Sequence, residues 1–137
     1  MRPGHNLAAY LTIKDAGKAV AFYERAFGAE VVEKHMAEGR DLIMHCELRI
    51  NGGLVMLADE FPEYGDVKSP QALGGTTFNL YLDLGAPPAV DAQIEKARKE
   101  GAAVVMPPED TFWGARFGMV RDPFGHMWAF SAPLAKG

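Results

Sequence analysis

Residues 42–58 read Leu42-Ile43-Met44-His45-Cys46-Glu47-Leu48-Arg49-Ile50-Asn51-Gly52-Gly53-Leu54-Val55-Met56-Leu57-Ala58, and their alternation decides the fold. Met44, Cys46, Leu48 and Ile50 are apolar at every second position, and His45, Glu47 and Arg49 stand between them. That is the period of a half-buried strand. Asn51-Gly52-Gly53 tolerates positive φ throughout and predicts a hairpin turn, after which residues 54–58 return as the next strand. A three-residue turn pairs Ile50 with Leu54. Met56 and Ala58 then share the core face with Cys46 and Leu48, while Val55 and Leu57 join His45 and Glu47 on the opposite face.

The flanks complete a unit. Residues 7–13 read as a strand; Asp15 offers an N-cap, and Val20, Tyr23 and Phe27 recur at helical spacing before Gly28 stops the helix. A strand from Glu30 to about Met36 precedes the one beginning at Leu42. Residues 59–75 then carry acidic residues, Pro62, Pro70 and closing glycines, which predicts a linker or lid longer than most loops.

The same order recurs downstream. Thr76–Leu84 reads as a strand, Pro87-Pro88 suits a first helical turn, and the helix runs to Glu100 before Gly101. Strands are expected over Ala103–Met106, Phe112–Arg121 and His126–Ser131, the last two joined by Asp122-Pro123-Phe124-Gly125. Gly28-Ala29-Glu30-Val31-Val32 matches Gly101-Ala102-Ala103-Val104-Val105, and the Arg49–Gly53 turn matches Arg121–Gly125 at an offset of 72. The expectation is an α+β fold of two βαβββ modules, curved mixed sheets around a pocket: module one 1–58, linker 59–75, module two 76–131, in a single domain.

Composition narrows the function classes. The 137 residues carry 48% hydrophobic and 23% charged side chains and a net charge of −4, which offers no broad attraction to nucleic acid or anionic lipid. No apolar run approaches the roughly 20 residues of a membrane span, and the start of the chain shows no secretory h-region. The single cysteine, Cys46, lies in the apolar alternation and reads as a small core residue. The expected location is cytoplasmic.

The stretch Ala21-Phe22-Tyr23 leading to Phe27-Gly28, and the closing Asp122-Pro123-Phe124-Gly125-His126-Met127-Trp128, together with the two modules, resemble the vicinal oxygen chelate superfamily of glyoxalases, extradiol dioxygenases and bleomycin-resistance proteins. His45–Ile50 and Glu109–Gly118 look like its PhnB-like branch. The resemblance implies four metal ligands, one from the first and last strand of each module. Aligned by motif, those positions fall on Ala8, Leu57, Asn79 and Ala129. Two alanines and a leucine offer no donor, and asparagine alone is a weak ligand, so the expectation is no metal and no cofactor. The remaining histidines read as ordinary: His5 as a terminal residue, His35 as a solvated strand edge beside Lys34 and Glu38, His126 as a turn residue.

Parity assigns a pocket lining. His45 and Glu47 share one strand face and are the candidate catalytic or anchoring pair; Tyr10, Leu57, Asn79, Tyr81, Trp113, Phe117, Met119 and Ala129 are the candidate ligand-binding residues. The cavity is expected to be apolar with a few polar groups, the usual make-up of a small-molecule site. Interior packing accounts equally well for the Trp113/Phe117/Met119 stripe, and an ion pair with Arg49 for Glu47. The reading is a protein that binds a small, partly apolar molecule between its modules without the usual metal. The alternatives are an isomerase or lyase using His45 and Glu47 as acid and base or as unorthodox metal ligands, and a filled interaction module. Each open module needs its concave face covered, which implies a homodimer.

Overall fold

The computed structural model describes residues 6–135; His5 lies outside them. Two compact units divide between Gly75 and Thr76. In the first, β1 (Ala9–Ile13), α1 (Ala16–Phe27), β2 (Glu30–Met36), β3 (Ile43–Ile50) and β4 (Gly53–Asp59) form a sheet ordered β1-β4-β3-β2. A 3₁₀ turn (Pro62–Tyr64) and a one-turn helix α2 (Pro70–Leu73) follow. The second unit repeats the pattern with β5 (Asn79–Asp83), α3 (Pro87–Lys99), β6 (Ala103–Asp110), β7 (Ala115–Arg121) and β8 (Met127–Pro133), ordered β5-β8-β7-β6. In each sheet the first and last strands pair in parallel and the other neighbours antiparallel. The two expected βαβββ modules are present as mixed sheets with one long helix each.

Each helix covers one face of its own sheet. In unit one that face carries Leu11 and Ile13, Val55 and Leu57, and Cys46 and Leu48, all buried with Val20, Phe22, Tyr23 and Phe27 of α1. Tyr23 and Phe27, four apart on the helix, stack at 5.8 Å. Full burial of one such side chain contributes about 1.5–3 kcal/mol. In unit two Leu80, Leu82, Val120, Trp128 and Phe130 fill the equivalent face with Val90 and Ile94 of α3.

Buried carboxylates fix the element ends. Asp15 is not the side-chain cap of α1: it sits in the left-handed region and its backbone carbonyl accepts from the Lys18 and Ala19 N–H groups. The cap comes from Asp59 at the end of β4, which accepts from the Ala16 N–H (2.9 Å) and, through its other oxygen, from the Ile43 N–H (2.7 Å). One carboxylate thus ties the starts of α1 and β3 to β4. In unit two Asp122 accepts from the Phe124 and His126 N–H groups and from Trp128 Nε1 (2.8 Å), holding the β7–β8 turn against the core.

The hairpin register differs from the sequence expectation. Ile50 pairs with Gly53, so the turn has two residues, Asn51 at φ 51° and Gly52 at φ 81°. Both central residues at positive φ make the primed turn whose twist suits a hairpin. One residue fewer in the turn inverts every side chain of β4. Val55 and Leu57 therefore lie under α1, and Leu57, expected to line a ligand site, is fully buried there. Met56 and Ala58 take the opposite face beside Glu47 and Tyr10. Two strand ends also move: β6 continues through Pro107-Pro108 to Asp110 at the sheet edge, and Phe112 and Trp113 fall in the β6–β7 turn.

Candidate functional site

The face of each sheet that its own helix leaves uncovered holds the candidate residues. In unit one, β1 contributes Tyr10, β4 Met56, β3 His45 and Glu47, and β2 Glu33 and His35, brought onto one face by the pairs Tyr10↔Met56, Met56↔Glu47, Glu47↔Glu33 and His45↔His35. Tyr10 Oη lies 2.8 Å from His45 Nδ1, and His45 Nε2 lies 2.9 Å from Glu47 Oε2. Tyrosine, imidazole and carboxylate form one hydrogen-bonded chain running from an exposed ring to a carboxylate that is 95% buried. Burial of the phenol, together with the nearby Cys46 and Glu47, pushes the Tyr10 hydroxyl above its ordinary pKa. Such a chain orients the imidazole at both nitrogens, and the carboxylate stabilises an imidazolium if one forms.

Cys46 points the other way, into the core, and burial raises its thiol pKa. A buried, protonated thiol is a poor nucleophile. Arg49 reaches the exposed Glu30 at 3.6 Å rather than Glu47, so the expected ion pair with Glu47 does not form.

In unit two the uncovered face carries Asn79 and Tyr81 of β5, Met127 and Ala129 of β8, and Phe117 and Met119 of β7, joined by the pairs Asn79↔Met127, Tyr81↔Ala129 and Met119↔Ala129. Trp113 is not on a strand, yet its ring meets Phe117 edge-on at 6.2 Å and Phe112 at 5.0 Å. His126 is buried, with the Phe78 ring 6.3 Å away.

The four positions expected to carry a metal do not fit one. Ala8 precedes β1, Leu57 faces α1, and Asn79 and Ala129 supply a single side-chain donor between them. The open-face residues flanking Leu57 are Met56 and Ala58, which add no nitrogen or oxygen ligand. Among the described residues the oxygen and nitrogen donors gather elsewhere: Glu33, His45 and Glu47 offer ligand atoms within 4.8 Å of one another. Sequence reasoning did not single out Glu33, and it read His35 as a solvated strand edge, which is where His35 lies, exposed on the edge strand β2. Their signal was the spacing Glu33-Lys34-His35 facing His45-Cys46-Glu47, which becomes visible only once the strand register is known.

A family model for the glyoxalase/bleomycin resistance protein/dioxygenase superfamily matches residues 4–130. Protein Mb0911c of Mycobacterium bovis is 41% identical over 131 residues, covering 93% of this chain and 83% of its own. The crystal structure of TioX from Micromonospora sp. ML1 superposes with a TM-score of 0.68 at 27% identity, over 96% of this chain and all of its own. A PhnB protein from Bacillus cereus gives a TM-score of 0.70 at 20% identity, with the same coverage, and shares the fold. Repeat, sheet order and family match agree: the chain belongs to the glyoxalase/bleomycin resistance protein/dioxygenase superfamily.

Proposed function

We propose that the chain binds a small, partly apolar molecule, and that it does so without a metal at the positions its superfamily uses. The observation that carries this reading is the Tyr10–His45–Glu47 chain on a sheet face that no helix of its unit covers. These three residues are the polar anchor. Asn79, Tyr81, Trp113, Phe117, Met119 and Ala129 are the apolar and aromatic lining of the second unit's open face. Within unit one the anchor lies beside Met56, and polar groups few in number and fixed in orientation beside apolar side chains are what a small-molecule site needs. Module one (1–58), linker (59–75) and module two (76–131) then make up a single glyoxalase-like domain of the PhnB-like branch, working as a cytoplasmic homodimer.

A thermal-shift screen of small aromatic and heteroaromatic compounds, run with chelator present, tests the reading. A ligand at 100 times its Kd stabilises the folded state by about 2.7 kcal/mol, and His45→Ala or Glu47→Gln should remove most of the shift. A broad library giving no hit, or hits indifferent to both variants, refutes it.

A second reading has a specific observation behind it. His45 held between a hydroxyl and a buried carboxylate is arranged as a proton shuttle, which suits an isomerase or lyase. Exchange of a ligand C–H for deuterium, lost in His45→Ala, would separate catalysis from binding.

A further inference from the structure

We infer that Glu33, His35, His45 and Glu47 form a site for a divalent transition-metal ion on the β2–β3 ribbon, outside the superfamily's usual positions. The inference deepens the proposed function, because two of its ligands belong to the same polar anchor.

Strand register is the first ground. β2 and β3 pair Val31 with Leu48, but the next pair is Glu33 with Glu47, so Val32 is an extra residue in a β-bulge. Without that bulge Val32 would oppose Glu47 and Lys34 would oppose His45. With it, Glu33 stands directly across from Glu47 and His35 across from His45. A second irregularity follows between His35 and Met36, so the bulges bracket this one segment. Bulges on an edge strand re-aim side chains, and here they aim four ligand-type groups at one spot.

Energetics is the second ground. Two carboxylates directly opposite on a sheet repel each other, and each has an imidazole beside it, His45 on Glu47 and His35 on Glu33. A divalent cation reverses that sign. The donor atoms of Glu33, His45 and Glu47 lie within 4.8 Å of one another, and His35 Nε2 lies 3.4 Å from Glu33 Oε1. Metal–ligand bonds of about 2.0–2.2 Å would draw these donors in around one ion.

Orientation is the third. A metal-bound imidazole is ordinarily held through its other nitrogen. His45 presents Nε2 to the carboxylates while Nδ1 meets the Tyr10 hydroxyl at 2.8 Å. Binding uses the tautomer in which Nε2 is bare and Nδ1–H donates to the Tyr10 oxygen, an orientation the 2.8 Å contact can hold. Two imidazoles with two carboxylates favour Zn²⁺, Co²⁺, Ni²⁺ or Fe²⁺ over Mg²⁺ and Ca²⁺, whose preference is all oxygen.

The test is titration of the chelator-stripped, full-length protein with ZnCl₂ by calorimetry and with CoCl₂ by visible absorption. One saturable site per chain in the micromolar range is expected, with Co²⁺ d–d bands and no competition from excess Mg²⁺. Glu33→Gln, on an exposed edge strand where folding is not at stake, should weaken Zn²⁺ at least tenfold, as should His45→Ala. Tyr10→Phe should weaken it by about 10-fold through loss of orientation. Absence of saturable binding at millimolar metal overturns the inference, and so does binding that Glu33→Gln and His45→Ala both leave unchanged. The compound screen in chelator is read separately, so loss of the metal site leaves ligand binding standing, and the reverse.

Discussion

Leu57→Ala against Met56→Ala decides which face of β4 belongs to the core. Leu57 is fully buried, its strand lies between β1 and β3, and its cross-strand partners Leu11 and Cys46 are equally buried. Truncation removes apolar contact on both sides and leaves a cavity beneath α1 that a pleated central strand cannot close. Leucine-to-alanine changes at such sites cost about 2.7–5 kcal/mol, a large share of the 5–15 kcal/mol that stabilises an ordinary domain. Met56 is only partly buried and faces Tyr10 and Glu47, so its truncation should cost about 1 kcal/mol or less. Urea unfolding followed by far-UV circular dichroism measures both. Tryptophan fluorescence is the wrong probe, because Trp113 and Trp128 both belong to unit two. The expected order is a large drop in midpoint for Leu57→Ala at unchanged m-value and a small one for Met56→Ala. The reverse order would establish a three-residue turn and refute the two-residue register, and with it the placement of Glu47 beside Met56.

Three further outcomes are expected. Asp59→Ala strips the acceptor from two N–H groups at the starts of α1 and β3, and leaving each unsatisfied costs about 1–3 kcal/mol; hydrogen exchange at Ala16 and Ile43 should accelerate more than elsewhere in unit one. A Cβ at Gly118 would lie 2.2 Å from Ile94 Cδ1 and 3.1 Å from the Met106 carbonyl oxygen, so Gly118→Ala should destabilise by about 1–3 kcal/mol; Ile94→Val should recover part of that in a double-mutant cycle, and full additivity would count against the contact. The raised pKa of Tyr10 means the folded state holds its phenol proton more tightly than the unfolded chain; stability should fall as pH rises from the ordinary tyrosine value through the folded one, and Tyr10→Phe should flatten that slope.

Alternation and repeat made the fold legible, because each rests on local chemistry that the chain displays directly. Met44 to Ile50 alternate without interruption, and the glycines after both helices mark the stops. His45 and Glu47 were visible for the same reason: polar residues in an otherwise apolar alternation define the other face. What failed was counting across a turn. Asn51-Gly52-Gly53 accommodates either two or three loop residues, and the choice is made by strand twist, which no single residue reveals. The resulting shift by one moved Leu57 from the open face to the core. The pairing of Glu33 with Glu47 and of His35 with His45 stayed hidden because a bulge at Val32 breaks the simple register that counting along two strands would give. Asp59 was unreadable as a cap because its helix begins 43 residues upstream.

The two units keep a common frame and diverge on the face the frame leaves open. Arg49 and Leu48 correspond to Arg121 and Val120 at the offset of 72, and these residues hold strand and core alike. At the same offset His45 corresponds to Phe117 and Glu47 to Met119. Both pairs lie on the face opposite their unit's helix, where packing against that helix imposes no demand. A buried carboxylate on a sheet face costs stability unless something compensates it, whereas phenylalanine and methionine at the matching positions of β7 carry no such cost. The scaffold therefore tolerates an apolar pair there, and unit one carries a charged one. That contrast within one chain, on identical strand order, is the physical reason to look for function at His45 and Glu47 rather than at any conserved feature of the frame.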